Sequence, residues 1–201
     1  MAIFPLGFAP LIESFQRKQP TFTSAIEART IPDRPSVAEQ VGRPVKVGSR
    51  GVAIIKQFEG CHRVREDGMI CAYPDPGTGG QPWTIGWGAT LIDGRGVRPT
   101  DVITQAKADH LLGVDIARHA KDVVDAIGTA PTSQLQFDAL ASFHFNTGAL
   151  RSSTLLRKHL SGDFVGAADE FGRWIFAGGR ALRGLKRRRV AEAALYREGS
   201  R

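Results

Sequence analysis

The feature that most constrains the fold is a change in sequence character near Thr104. Residues 58–90 are dense in Gly and Pro and contain only short strand-like runs, which cannot bury much apolar surface as one continuous element. From Thr104 onward the chain has a succession of amphipathic helical patterns that end at glycine or begin at capping residues. This order predicts an α+β fold, with a small β-hairpin lobe, a larger helical lobe and a cleft between them.

The length of 201 residues suits one ordinary domain plus an extension. Residues 1–47 are rich in Pro, Ser, Thr and isolated charges, with only a weak helical pattern around "PLIESFQRKQ". We therefore interpret residues 1–47 as an N-terminal extension or linker and residues 48–201 as the folded domain. The apolar stretch "AIFPLGFAPLI" contains two prolines and lacks a basic start, so no signal peptide is expected.

The composition is that of a soluble globular protein, with 42% hydrophobic and 23% charged residues. The formal net charge of +7 favours an anionic macromolecular partner, such as nucleic acid, anionic lipid or a bacterial envelope polymer. Elements that stack on bases or read a groove are not evident, so a specific nucleic-acid partner is not expected.

Cys61 and Cys71 are the two cysteines, and their spacing fits neither a redox pair nor a zinc knuckle. The five histidines are scattered, so we expect neither a metal site nor a cofactor. A two-residue turn at Asp67 and Gly68 would set Val64 opposite Cys71. A disulfide between the cysteines is therefore not favoured.

Local signals predict several helix ends. Ser49 is suited to cap a first helix that ends near Glu59 and Gly60, and Thr132 or Ser133 to cap a later helix. The long helix after Thr104 is expected to end at Gly128 and to bury a stripe made of Leu111, Val114, Ala117, Ala120 and Val124.

Two carboxylates are the minimum equipment for cleaving a glycosidic bond, one protonated and one ionised. Glu59 is expected at a helix C-terminus, where the helix dipole disfavours its anion and raises its pKa. Asp75, in the turn "YPDPG", is expected to accept backbone N–H groups and to remain ionised. The pair would then divide the two roles between them.

The segment "PWTIGWGATLI" is predicted as one strand. Alternation along that strand sets Thr84, Gly86 and Gly88 on one face, opposite Ile85 and Trp87. Glycine positions beside a hydroxyl would let a bulky ligand approach the backbone closely, so Gly86 is predicted to line a carbohydrate-sized floor.

Five segments, in chain order, resemble the successive motifs of phage-type lysozymes, the endolysins of glycoside hydrolase family 24. They are "IIKQFEG", "AYPDP", "PWTIGWG", "FHFNTGAL" and "GLKRRRVAEAALY". The resemblance implies a lysozyme-like fold in which Glu59 is the general acid, Asp75 the second carboxylate and Thr84 the residue that positions water. It also implies that Tyr73 and Asn146 bind substrate, although Asn146 is equally suited to ending a helix.

Two departures from the family pattern concern this site. The gaps on either side of Asp75 are longer than in shorter family members, so Asp67 and Asp93 are the alternatives to Asp75. The histidine often found after the "TIGxG" motif is Ala89 here. A salt bridge to the acid from that position is therefore absent.

By this resemblance, the expected function is hydrolysis of the β-1,4 bond between N-acetylmuramic acid and N-acetylglucosamine in bacterial peptidoglycan, which lyses the host cell. The alternatives are a lytic transglycosylase acting on the same bond and an inactive wall-binding module of the same fold. We expect a monomer that accumulates in the host cytoplasm and reaches the periplasm or cell wall after release.

The C-terminal region carries six cations between Arg180 and Arg189 and no acid among them. Arg188 is predicted to pair with Glu192 one helical turn later. The other cations are expected to form an exposed surface that attracts anionic envelope polymers.

Overall fold

A computed structural model describes residues 43–61, 63–75 and 78–201 of the chain. Residues 1–42, which include most of the predicted extension and its weak helical pattern, lie outside the described residues. Within the described ranges, no helix has the length and apolar character required to cross a bilayer.

Six α-helices and eight two-residue strands are present in the described residues. The helices are α1 Ser49–Glu59, α2 Gln105–Ile127, α3 Gln134–Thr147, α4 Thr154–Leu160, α5 Phe164–Glu170 and α6 Arg183–Glu198. The strands are β1 Ile70–Cys71, β2 Tyr73–Pro74, β3 Trp83–Thr84, β4 Leu91–Ile92, β5 Arg95–Gly96, β6 Val102–Ile103, β7 Phe176–Ala177 and β8 Arg180–Ala181. The predicted order, a small β lobe followed by a larger helical lobe, is therefore confirmed.

Helix α1 begins without the predicted side-chain cap. Its N-cap residue is Gly48, and Ser49 is the first helical residue. The buried carboxylate of Asp138, on α3, accepts hydrogen bonds from the backbone N–H groups of Gly48 at 2.8 Å and Gly51 at 3.1 Å. The prediction for Ser49 was wrong because a residue distant in sequence satisfies these donors.

Helix α2 has the predicted ends but a different buried face. The Thr104 hydroxyl accepts from the Lys107 N–H at the start, and Gly128 caps the end. Of the predicted stripe only Ala120 is fully buried, and Val114 is 57% exposed. The residues that α2 does bury are Ala108, Leu112, Ile116, Ala120, Val123 and Ile127.

Three apolar clusters follow one another along α2. Ala108 packs into the core of the small lobe, which includes Ile70, Ile85 and Ile103. In the next two turns Leu112 and Ile116 pack with Ile55 of α1 in a small apolar cluster. The last turns contribute to the main core of the helical lobe. Helix α2 therefore packs into both lobes and connects them.

The small lobe consists of short antiparallel pairs. Strand β1 pairs with β6, β2 with β3, and β4 with β5. The hairpin around Gly68 exists, but Val64 bridges Ile70 rather than Cys71, because the turn is wider than two residues. Both cysteines are free and half-buried.

The predicted strand "PWTIGWGATLI" is interrupted. Strand β3 ends at Thr84, a turn closed by reciprocal backbone bonds between Ile85 and Ala89 follows, and β4 begins at Leu91. Gly86 adopts a φ of +62° within this turn. An extended strand would not accommodate that left-handed conformation.

Helix α3 matches its local signals. Ser133 forms a capping box with Gln136, and Gly148 ends the helix in the left-handed conformation. Thr132, the other predicted cap, instead lies 2.9 Å from the buried ring of His159. Helix α3 is buried on nearly every side from Gln136 to His144, as expected for a helix in the centre of the larger lobe.

Candidate active site

Glu59 is the last residue of α1, as predicted, and its side chain is 10% exposed. Arg188 of α6 approaches it from the helical lobe, with Nη1 2.6 Å from Glu59 Oε1. The guanidinium of Arg188 is itself 3% exposed. This ion pair joins two residues that are 129 positions apart in the chain.

The pKa of Glu59 is raised, as the sequence predicted, but mainly for another reason. Burial is the largest cause, since it penalises the anion. The ion pair and hydrogen bond with Arg188 oppose this increase without cancelling it. Glu59 is therefore a buried carboxyl that holds its proton more tightly than usual while its orientation is fixed.

Arg188 belongs to a buried network on the inner face of α6. Its Nε donates to Glu192 at 3.0 Å, and its Nη2 donates to the Ser142 carbonyl at 3.2 Å. Arg189 lies beside it, with Nε 2.8 Å from the second oxygen of Glu192. When Glu59 is ionised, two arginines and two glutamates balance in charge, so the buried cluster then has no uncompensated charge.

The pairing of β2 with β3 brings together three of the predicted residues. Tyr73 lies directly opposite Thr84, and the Thr84 hydroxyl donates to the Tyr73 carbonyl at 3.2 Å. Asp75 is two residues beyond Tyr73, so alternation places it on the same face. Thr84 and Asp75 are both buried, at 2% and 6% exposure.

Asp75 opens a polar turn, as predicted. Its carboxylate accepts the backbone N–H of Thr78 at 3.1 Å, and its own N–H donates to Gly80. The two alternative acids differ from it. Asp67 is about half exposed beside Arg65, and Asp93 is 67% exposed beside Lys107.

The phenol of Tyr73 connects the acid with the β2–β3 pair. Burial raises its pKa to about 12, while a hydrogen bond with Thr84 lowers it. The charges of Glu59 and Asp75 add further small increases. Both carboxyl groups therefore lie within electrostatic range of the same hydroxyl.

Gly86 does not belong to an open floor. It is buried, and a Cβ atom at this position would lie 2.8 Å from the Cβ of Ala108 on α2. The predicted strand alternation does not extend to Gly86, because β3 ends at Thr84, and substrate binding by Gly86 stays a prediction. Glycine is required here to let the turn pack directly against α2.

Asn146 lies in the last turn of α3, half-buried. Its Oδ1 accepts a hydrogen bond from Nη2 of Arg189 at 2.8 Å, while Gly148 ends the helix. The side chain is therefore oriented by the buried arginine network rather than used as the helix cap.

Arg189 is the functional-site residue that the sequence interpretation missed. It was assigned to the exposed cationic surface, whereas it is 1% exposed. Its position three residues before Glu192 was the available signal, since Arg188 and Arg189 can both reach that carboxylate. In the part of the chain that the structure describes, no cluster of three or more His, Cys, Asp or Glu residues could hold a metal ion.

The arrangement defines a protein of the lysozyme class. Among solved structures, the endolysin of Escherichia coli O157:H7 phage FAHEc1 is similar, with a TM-score of 0.64 and 32% identity. The similarity covers 75% of this chain and 92% of that one. This fold is the lysozyme-like α+β fold predicted from the sequence.

The family model for phage lysozyme matches residues 56–192, so the chain belongs to the phage lysozyme family. It is 38% identical over 157 residues to the endolysin of Bacillus phage B103, and this match covers 77% of this chain and 55% of that protein. It is 36% identical over 156 residues to the endolysin of Acyrthosiphon pisum secondary endosymbiont phage 1, covering 75% and 97%. The chain thus spans about half the length of the Bacillus phage relative and nearly all of the other.

Proposed function

We propose that the chain hydrolyses the β-1,4 bond between N-acetylmuramic acid and N-acetylglucosamine in bacterial peptidoglycan. Glu59 is the general acid, Asp75 the second carboxylate and Thr84 the residue that positions the attacking water. The observation that carries this proposal is the buried Glu59, which has a raised pKa and is held by Arg188. Membership of the phage lysozyme family supports the same assignment.

The surroundings of Glu59 suit a group that gives up a proton and then carries a charge. Burial keeps a larger fraction of the carboxyl protonated near neutral pH, which a general acid requires. After the proton moves to the leaving oxygen, the anion is already paired with the Arg188 guanidinium. The ion pair thus stabilises the product state of the proton transfer.

Asp75 and Thr84 provide the other half of the reaction. The Thr84 hydroxyl donates its proton to the Tyr73 carbonyl. Because a hydroxyl oxygen has two lone pairs, it can accept a hydrogen bond from water beside its bond with the Tyr73 phenol. The Asp75 carboxylate would accept the other proton of that water. A water held in this way attacks the sugar from the face opposite the acid, so the anomeric configuration should invert.

The central test is Glu59→Gln, assayed as clearing of a suspension of purified cell walls. The amide keeps an acceptor for Arg188 but has no acidic proton, so lysis should be lost while the circular dichroism spectrum is retained. Asp67→Asn is the matched control and should lyse at the wild-type rate. Near-wild-type lysis by Glu59→Gln would remove Glu59 from the mechanism.

Asp75→Asn should also abolish lysis, and Thr84→Ala should reduce it less severely. A silent Asp75→Asn would transfer the role to Asp67 or Asp93. Mass spectrometry of the products separates hydrolysis from the transglycosylase alternative. Hydrated reducing ends support the proposal, whereas 1,6-anhydro ends would leave Thr84 without its function.

Two residues are proposed to bind the substrate. Tyr73 lies in the β2–β3 pair beside Thr84, and Asn146 keeps its amide NH₂ available because Arg189 engages only its oxygen. Asn146→Ala should therefore raise KM for a soluble peptidoglycan oligosaccharide more than it lowers kcat.

The remaining proposals concern partners and location. Lys186 and Arg187 are exposed on the outer face of α6, where they would attract anionic envelope polymers. We propose that the protein acts as a monomer, without specific nucleic-acid binding, and reaches the wall from the host cytoplasm after release. Sedimentation equilibrium tests the first point, and fractionation of host cells before and after lysis tests the last.

A further inference from the structure

A single carboxylate oxygen on α2 collects three donors from three parts of the chain. Oδ1 of Asp109 accepts from Lys56 Nζ at 2.9 Å, from Trp87 Nε1 at 2.7 Å and from Gln105 Nε2 at 3.0 Å. The Lys56 ammonium also lies over the Trp87 ring, 5.0 Å from its centroid. We call Asp109, Lys56 and Trp87 the junction cluster.

Two residues of the junction cluster are close in sequence to the two halves of the candidate active site. Lys56 precedes Glu59 by three residues on α1, which is less than one helical turn. Trp87 follows Thr84 by three residues, in the turn after β3. Asp109 therefore connects the segment that ends at the acid with the segment that begins at the water-positioning residue.

The packing around the junction cluster leaves little freedom. Gly86 contacts Ala108 so closely that a methyl group would clash, and Ile55 is 1% exposed against Leu112. Both α1 and the β3 turn thus rest on neighbouring turns of α2. Asp109 lies between these two contacts in sequence and accepts hydrogen bonds from Lys56 of α1 and Trp87 of the turn.

We infer that Asp109 is a positioning residue, which sets the separation of Glu59 and Thr84 across the two lobes. The inference rests on the roles proposed for those two residues. The side chains of Asp109 and Lys56 are 40% and 33% exposed, so their ion pair contributes little to stability. The ion pair matters mainly because it fixes the positions of the two segments, since small displacements of reacting groups reduce rates steeply.

The test compares two ion pairs of the same kind on α2. Asp109→Ala should lower kcat on a soluble peptidoglycan oligosaccharide by about tenfold with little change in KM. Asp109→Asn, which keeps an acceptor for the Trp87 N–H, should restore part of the rate. Asp115→Asn removes the exposed Arg118–Asp115 pair, which does not involve α1, and should leave kcat unchanged.

A double-mutant cycle with Thr84→Ala separates positioning from a general structural effect. If Asp109 acts through the placement of Thr84, Asp109→Ala should lower kcat by a much smaller factor in the Thr84→Ala background than in the wild type. The melting temperature of Asp109→Ala should fall by no more than about 4 °C.

Three outcomes would overturn the inference. If Thr84→Ala is impaired but the kcat of Asp109→Ala is within twofold of wild type, the inference about Asp109 is overturned and the proposed role of Thr84 is retained. The same fold-loss in both backgrounds would also overturn the inference, because it would indicate a merely structural role. A silent Thr84→Ala would instead overturn the proposed role of Thr84 and the inference with it.

Discussion

The run "KRRR" on α6 contains two pairs of cations with opposite environments. Lys186 and Arg187 point to solvent, whereas Arg188 and Arg189 are 3% and 1% exposed. The buried pair meets Glu59, Glu192 and Ser142, and the exposed pair faces water. Four consecutive residues of similar chemistry therefore lie in two different environments.

The difference shows that position on the helix, rather than charge, decides what each cation does. A buried guanidinium is stable only where carboxylates and carbonyls satisfy its rigid set of donors. An exposed cation requires no partner and acts through its field, which salt screens. The buried pair should therefore respond to substitution in stability and activity, and the exposed pair in salt dependence.

The largest effect is expected for Arg188→Met. The substitution leaves Glu59 buried without its cation and Glu192 with Arg189 alone, which should destabilise the domain by about 3–5 kcal/mol and nearly abolish lysis. The pKa of Glu59 should rise further, because Arg188 opposes the effect of burial. Urea denaturation measures the first effect, and the alkaline limb of the residual pH–rate profile, shifted to higher pH, measures the second.

Arg188→Lys tests whether charge alone is sufficient, because it keeps the positive charge but removes the planar set of N–H donors of the guanidinium. A single ammonium cannot serve Glu59, Glu192 and the Ser142 carbonyl with the geometry of the guanidinium. We expect a loss of roughly 1–3 kcal/mol in the free energy of unfolding, together with a clear drop in kcat. Wild-type values for both quantities would show that only the charge matters.

Among the described residues, the hydrogen-bond partners of the buried His159 ring are hydroxyl groups rather than acids. The ring contacts the Tyr196 hydroxyl and Thr132, and burial lowers its pKa to about 4. The unfolded chain therefore binds more protons between pH 6.5 and 4, and stability should fall as the pH falls through this window. The contribution is at most about 1.4 kcal/mol per pH unit.

Denaturation of His159→Gln over the same range measures this contribution. The variant should lose that part of the pH dependence relative to wild type. An identical acid slope in both proteins would show that other groups are responsible.

The smallest effect on the fold is expected for the double variant Lys186→Gln, Arg187→Gln. Lysis of walls should slow at low salt and lose part of its salt dependence, since the Debye length falls from about 10 Å at 0.1 M to about 3 Å at 1 M. Hydrolysis of a short uncharged oligosaccharide and the melting temperature should be unchanged. Arg118→Gln with Lys121→Gln, two exposed cations on α2, is the control for net charge.

Equal losses on walls and on the neutral oligosaccharide would place Lys186 and Arg187 in the fold or the site. Equal effects of both double variants would attribute the salt dependence to total charge. Unchanged lysis at every salt concentration would make the pair an ordinary solvated helix face.

The sequence by itself determined the features that depend on neighbouring residues. Ser133 and Gly148 bound α3, Thr104 and Gly128 bound α2, and Glu59 ends α1, because caps act within one helical turn. The successive motifs also determined the family, and with it the lysozyme-like fold. The roles of Glu59, Asp75 and Thr84 remain predictions for the experiments above.

Only the tertiary structure decided which partners meet across the chain. The buried face of α2 follows from the two lobes that it joins, since its sequence offers more than one apolar stripe. Asp138 caps a helix that begins about 90 positions earlier, and Arg188 reaches Glu59 over a separation of 129 residues. Such contacts leave no periodic or local signal, because each partner alone resembles an ordinary surface charge.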